Sequence, residues 1–377
     1  MPRPARLILY VPLAVAIGIL LALLIRAGLG RLAGVNPDAG LGGRAELAVP
    51  DGYRVSVFAE GLSAPRFMAV SPAGVLFVAE RGADRVVALP DADANGVADT
   101  LFEVGRGYKS AHSLAFANDG TLLVAGTTTL FRVTLGEDLA ERERAVVVGG
   151  LPGGGHATKT VAVRPNGTLL LSIGSSCDVC QESDSRRAAI SLVTAGGELR
   201  PYMTGLRNAV GLWIDPVTAR AWATNMGRDW LGADAPPETL YEVIDGADAG
   251  WPRCHAGSIV DPDFGGADAC AGVAQPAATF GAHMAPLALV EWDGHMVIAF
   301  HGSWNSADKV GYALWWLPWD GAPAGEAVPF ATGFLPPGAQ DARGRPAGLA
   351  VGADGALYVS DDKAGFIYRI AADAGGG

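Results

Sequence analysis

From Val49 onward the chain alternates short apolar runs with polar turns, at the spacing of strands rather than helices. Pro65–Ala79 reads as a strand, a turn at Gly74 and a second apolar strand. Ser113–Ala125 repeats the unit with its turn at Gly120, and Thr160–Ile173 repeats it with Gly167. Gly211–Ala223 is a fourth copy with a longer turn. Leu287–Phe300 is a fifth, turning at Asp293-Gly294, and Ala347–Val359 is the sixth. The first three turn glycines lie 46 and 47 residues apart, the length of one four-stranded blade. Each unit exposes apolar faces that only a neighbouring unit covers. Six copies therefore predict an all-β fold, a closed six-bladed β-propeller over residues 49–371. An open sandwich would leave the regular spacing without a reason. Residues 228–283 form an outsized interval, expected as an insertion between blades four and five that builds a rim or lid.

The first 30 residues follow another pattern. Leu7–Ile25 is 19 residues without a charge, bounded by Arg6 and Arg26, enough to cross about 30 Å of hydrocarbon as a helix. Residues 1–30 are expected to form a single-pass transmembrane signal anchor, followed by a Gly/Ala-rich tether over 31–48. Arg3 and Arg6 keep the amino end in the cytoplasm and put the propeller on the periplasmic side of the cell membrane. A cleaved signal peptide is the rival; its apolar region is usually shorter, and Ala27-Gly-Leu-Gly30 is a poor cleavage site. The formal net charge of −11 includes four arginines before residue 32, so the body is more acidic still. Such a body repels phosphate backbones, which argues against a nucleic-acid partner.

Four cysteines allow three pairings, and an exported body favours disulfides. The local pairs Cys177–Cys180 and Cys254–Cys270 are preferred, with a four-cysteine zinc site as the alternative. Asp91–Asp99 (DADANGVAD) has oxygen ligands at alternate positions and a glycine at the sixth, like the front half of a calcium loop. Phe102 stands where that loop needs its bidentate glutamate, so an Asx-rich turn explains it equally well. His156 follows Gly153-Gly-Gly155 just ahead of a strand, where an imidazole can exchange a proton near neutral pH. Taken alone, it is as readily a loop histidine with a structural hydrogen bond.

Read together, GGGHATKTVAV, IGSSCDVC, TGLRNAVGL, NMGRDWLG, GWPRCH, AFHGSWN, GRPAGLAV and SDDKAGFIYRI resemble a known family. It is the quinoprotein glucose/sorbosone dehydrogenase family, dependent on pyrroloquinoline quinone (PQQ), and most closely its L-sorbosone dehydrogenase-like branch. The resemblance runs from about Val49 to Ile370. It implies a propeller that binds PQQ on one face together with Ca2+. His156 matches the family's general base, and Arg207 and Asn208 match its cofactor-contacting pair. Arg345 matches a cofactor arginine, with Arg343 as a second. Gly227 and Arg228 match positions whose backbone carbonyls bind calcium. The chain departs at Ser175, where the glucose-oxidising branch has an aspartate behind the base, and at Val210, where it has a glutamine.

The expected function is thus a membrane-anchored quinoprotein dehydrogenase that passes hydride from a sugar or sorbosone-like aldehyde to PQQ, with the electron acceptor left open. Asp229, Trp230 and His301 are expected at the substrate rim. A calcium-dependent, lactonase-like propeller hydrolase and a non-catalytic propeller remain as alternatives. The first would need inward carboxylates and amides around the channel; the second would leave the arginines scattered. Arg207 and Arg345 also have an ordinary reading as rim arginines in salt bridges.

Overall fold

The computed structural model describes residues 44–373; the expected anchor, and the tether up to residue 43, lie outside that range. Among the described residues, no helix is long and apolar enough to cross a membrane.

Six antiparallel sheets form the ring. Their first strands are Pro65–Val70, Ser113–Phe116, Lys159–Val163, Leu212–Ile214, Pro286–Trp292 and Pro346–Val351. These line the centre, each in contact with the first strands of the blades beside it. The second strands are Leu76–Glu80, Leu122–Ala125, Leu169–Ile173, Ala221–Asn225, His295–Phe300 and Leu357–Asp361. Each strand pair is one of the six sequence copies. The turn glycines earn their place by conformation: Gly74 has φ +84° and Gly120 φ +80°, where other residues are strained. The fourth turn has no glycine there; Asp215 Oδ1 instead accepts from the amides of Val217 and Thr218 at 2.8 and 3.0 Å.

Six hydrophobic clusters hold the ring, one between each pair of neighbouring blades. The buried hydroxyls nearest the centre bond across blade boundaries. Ser113 Oγ donates to Lys159 O (3.0 Å), Thr160 Oγ1 to Val210 O (2.6 Å) and Ser360 Oγ to Arg66 O (2.7 Å). Apolar packing drives the blades together, and these bonds satisfy polar groups that burial would otherwise penalise. The ring closes where Tyr53–Ala59 becomes the outermost strand of blade six, paired with Phe366–Ala372. The end of the expected tether joins the body too: Ala45 is buried, and Ala48 bridges Thr332.

The long interval differs from expectation. It lies within blade four, because Glu238–Glu242 and Ala278–Phe280 are that blade's third and fourth strands. Glu238–Glu242 follows two prolines and has four consecutive buried residues, so the alternating pattern of an exposed strand is missing. The remainder makes two excursions, 226–237 and 243–277. In the second, Ala247–Asp248 adds a parallel fifth strand to blade three and covers part of its outer edge.

Candidate active site

Each first strand leaves one face of the ring and each second strand returns to it. Residues just before a first strand or just after a second one therefore share a face. His156, Arg207 and Arg345 precede first strands; Ser175, Gly227 and His301 follow second strands. They meet over a cavity of about 350 Å³, lined by His156, Arg207, Asn208, Gly227, Arg228, Asp229, His301 and Arg345. Arg343 is elsewhere: its side chain is exposed and its amide donates to Phe334 O, so the structure removes it from the expected cofactor set.

The His156 loop depends on close backbone approach. A Cβ at Gly174 would meet His156 Cβ at 2.5 Å and Asn208 Oδ1 at 2.6 Å. The Arg187 guanidinium, which has no carboxylate partner among the described residues, donates to the carbonyls of Gly153, Gly154 and Gly174 and ties the loop to the end of the neighbouring strand. Ser175 then fixes the imidazole. Its hydroxyl donates to Cys177 O at 2.6 Å, so its one proton is committed. The 2.8 Å contact between Ser175 Oγ and His156 Nδ1 must be a bond donated by Nδ1–H. That leaves Nε2 unprotonated. Burial, reinforced by the Arg207 charge, lowers the His156 pKa to about 4, so the ring is neutral at physiological pH and able to accept a proton.

The two expected cofactor arginines differ in charge balance. Arg207 contacts Asp178 Oδ1 (2.8 Å) and Asp229 Oδ2 (2.9 Å), which neutralise it. Asp229 is held again by Asn305 Nδ2 at 2.8 Å, which links blades four and five. The Arg345 guanidinium donates to two carbonyls, His301 O at 2.9 Å and Gly302 O at 2.7 Å. It makes no salt bridge among the described residues, although Asp362 and Asp361 lie near enough for their charges to act on it. Arg228 turns its side chain to Asp261 and Asp263, while Asp261 also receives His255 at 2.8 Å.

Gly227 and Arg228 offer free backbone oxygens: neither carbonyl accepts a hydrogen bond among the described residues. Hard carbonyl oxygens at a cavity wall fit a calcium ion. Behind them lies Glu238, which sequence reading missed. Its carboxylate accepts from Gly227 N (2.8 Å) and Ala285 N (3.0 Å), and burial pushes its pKa up to about 7. Trp230 lies outside the cavity lining. Its exposed ring meets that of Trp304 edge-on at 5.8 Å, at the mouth, with φ +64°.

Both preferred disulfides, Cys177–Cys180 and Cys254–Cys270, are present and no cysteine is free, which removes the thiolates a zinc site would need. Non-reducing peptide mapping of the full chain should recover these two pairs; bridges between the pairs would contradict this structure. The Asp91–Asp99 loop folds on itself as Asx turns, with Asp91 Oδ2 accepting from Gly96 N at 2.9 Å.

A family model described as TrAA12-like matches residues 47–237 and 262–373. The chain is 25% identical over 408 residues to a protein of Coprinopsis cinerea named pyrroloquinoline quinone-dependent pyranose dehydrogenase. The match takes in 87% of this chain but only 55% of that protein, so the chain spans about half its relative's length. The holo form of that organism's pyranose dehydrogenase PQQ domain superposes with a TM-score of 0.77 at 22% identity, over 87% of this chain and 97% of that one. A calcium structure of a Trichoderma reesei protein of Carbohydrate-Active Enzymes Family AA12 gives 0.78 at 21%, over 88% and 99%. These two likenesses establish the fold.

Proposed function

Because the chain belongs to the TrAA12-like family, we propose that it is a PQQ-dependent dehydrogenase of a sugar or sugar-derived aldehyde, with calcium beside the cofactor. The observation that carries this is one cavity joining a neutral histidine with a bare Nε2 to an arginine whose guanidinium is held by carbonyls and makes no salt bridge among the described residues. The Coprinopsis cinerea relative's name supports it. PQQ, when bound, supplies the quinone that takes hydride from the substrate carbon.

The chain's own residues do the rest. Arg345, Arg207 and Asn208, which line the same cavity, would hold the cofactor's carboxylates. The Gly227 and Arg228 carbonyls hold the cation. His156 Nε2 takes the proton of the reacting hydroxyl. Ser175 fixes the tautomer but lacks the charge a carboxylate would place behind an imidazolium. That suits an easily oxidised substrate, a hydrated sorbosone-like aldehyde. Asp229 braces the rim, and Trp230 with Trp304 gives the entering sugar an apolar edge. Leu7–Ile25 anchors the chain in the cell membrane with the propeller outside the cytoplasm, a reading supported by its uncharged length and by the two disulfides.

Titrating the purified full chain with PQQ in the presence of Ca2+ should give a saturable change in the quinone's absorption that a chelator reverses. Absence of binding with calcium present would end this reading.

A further inference from the structure

His301 lines the same cavity as His156 from two blades further round the ring, on the loop after the second strand of blade five. Its Nε2 lies 2.9 Å from Asp362 Oδ1, at the end of the second strand of blade six. The other oxygen of Asp362 is paired with the Arg66 guanidinium from blade one. Burial alone would raise the Asp362 pKa, but the Arg66 and Arg345 charges and the hydrogen bond from His301 hold it well below the usual carboxylate range. A carboxylate only accepts, so His301 must donate Nε2–H to it. The proton is then absent from Nδ1, which makes no hydrogen bond among the described residues. Arg345 fixes the loop by donating to His301 O. The two histidines line one cavity and leave opposite nitrogens unprotonated: His156 its Nε2, with a hydroxyl on Nδ1, and His301 its Nδ1, with a carboxylate on Nε2.

We infer that His301, oriented by Asp362, is a second proton acceptor of the site and matches it to hydrated aldehydes; this rests on the dehydrogenase reading above. The atom balance gives the second base its task. A hydrated aldehyde, R–CH(OH)2, gives up its C–H electron pair as hydride to the quinone while one O–H breaks, its electrons forming the new C=O. That first proton goes to His156 Nε2. The product is a carboxylic acid, and its remaining O–H releases a second proton to His301 Nδ1, leaving a carboxylate. The carbon is oxidised by two electrons and the quinone reduced by two. A ring-closed aldose passing to a lactone releases only the first proton. An ionised carboxylate also stands behind the imidazolium that forms on His301, which the Ser175 hydroxyl does not provide for His156, although the Arg345 and Arg66 charges oppose it. Burial lowers the His301 pKa to about 4, which keeps it neutral and ready to accept.

Two measurements test this. In the full chain at neutral pH, long-range proton–nitrogen correlation spectra of 15N-histidine report which ring nitrogen carries the proton, with signals assigned through His156→Gln and His301→Gln. The expected result is Nδ1–H for His156 and Nε2–H for His301; Nδ1–H on His301 overturns the proposal. In protein loaded with PQQ and Ca2+, His301→Gln should lower kcat for a hydrated aldehyde by roughly 10²-fold more than for a ring-closed aldose, with KM little moved. Equal losses on both substrates overturn it. An unmutated protein that turns over neither substrate removes the dehydrogenase reading and this role with it. Turnover combined with the wrong His301 tautomer removes only the second base.

Discussion

Replacing His156 by alanine should lower turnover by roughly 10²–10⁴-fold, the worth of a positioned base, while PQQ binding stays close to that of the unmutated protein. The separation is expected because the ring's interactions are local. Its Nδ1–H is spent on Ser175, and no arginine in the cavity wall leans on the imidazole for its position. What the variant loses is the bare Nε2, which matters only as the proton leaves the hydroxyl. The pH profile carries a second signature. With the pKa lowered from 6.5 to about 4, the base form persists as pH falls. The acid limb of kcat/KM should therefore lie near pH 4 rather than near 6.5. His301 is lowered equally, so the limb reports both rings until one is removed. A loaded His156→Ala protein that turns over at the unmutated rate would show that the proton leaves by another route.

Arg345→Ala should do the reverse, weakening PQQ binding before it affects the chemistry. The guanidinium is held by two carbonyls and makes no salt bridge among the described residues, so it can still donate to an anion. Truncating one partner of a buried, hydrogen-bonded charge pair costs about 2–5 kcal/mol, or roughly 30- to several-thousand-fold in Kd. Arg207→Ala is a weaker test, since it also strands Asp178 and Asp229. Spectral titration of Arg345→Ala with PQQ and Ca2+ gives the answer directly. An unchanged Kd would place the cofactor's carboxylates elsewhere.

The six strand–turn–strand copies were readable because a positive-φ turn and two apolar runs leave local marks. Outer strands leave fewer. Glu238–Glu242 is buried on both sides and sits behind Pro236-Pro237, so it passed for part of a rim. His156 and Arg345 were found through motifs, but their meeting is a product of ring topology. Arg343 shows the limit of motif proximity: two residues before Arg345, it lies before the strand that aims Arg345 and faces outward. Asp362 stood in a quoted segment, SDDKAGFIYRI, but neither it nor Arg66 showed a role in the sequence. Each matters through a partner that folding brings from another blade, His301 to Asp362 and Asp362 to Arg66.

The clasp of the ring sets a timetable for the chain's birth. Tyr53–Ala59 is among the first described segments to be synthesised, yet its hydrogen-bonding partner, Phe366–Ala372, comes last. Each intermediate blade can form as its own four strands emerge, because they are consecutive or nearly so in sequence. Blade six cannot. The nascent chain must carry one unpaired strand edge through almost the whole of synthesis, and closing so long a loop is slow. Arg66 and Asp362 are separated by 296 residues, nearly as long a span, so their ion pair, and the backing it gives His301, is assembled only when the final blade docks. A chain released short of Phe366 would hold five finished blades and a sixth with only its two inner strands, Pro346–Val351 and Leu357–Asp361.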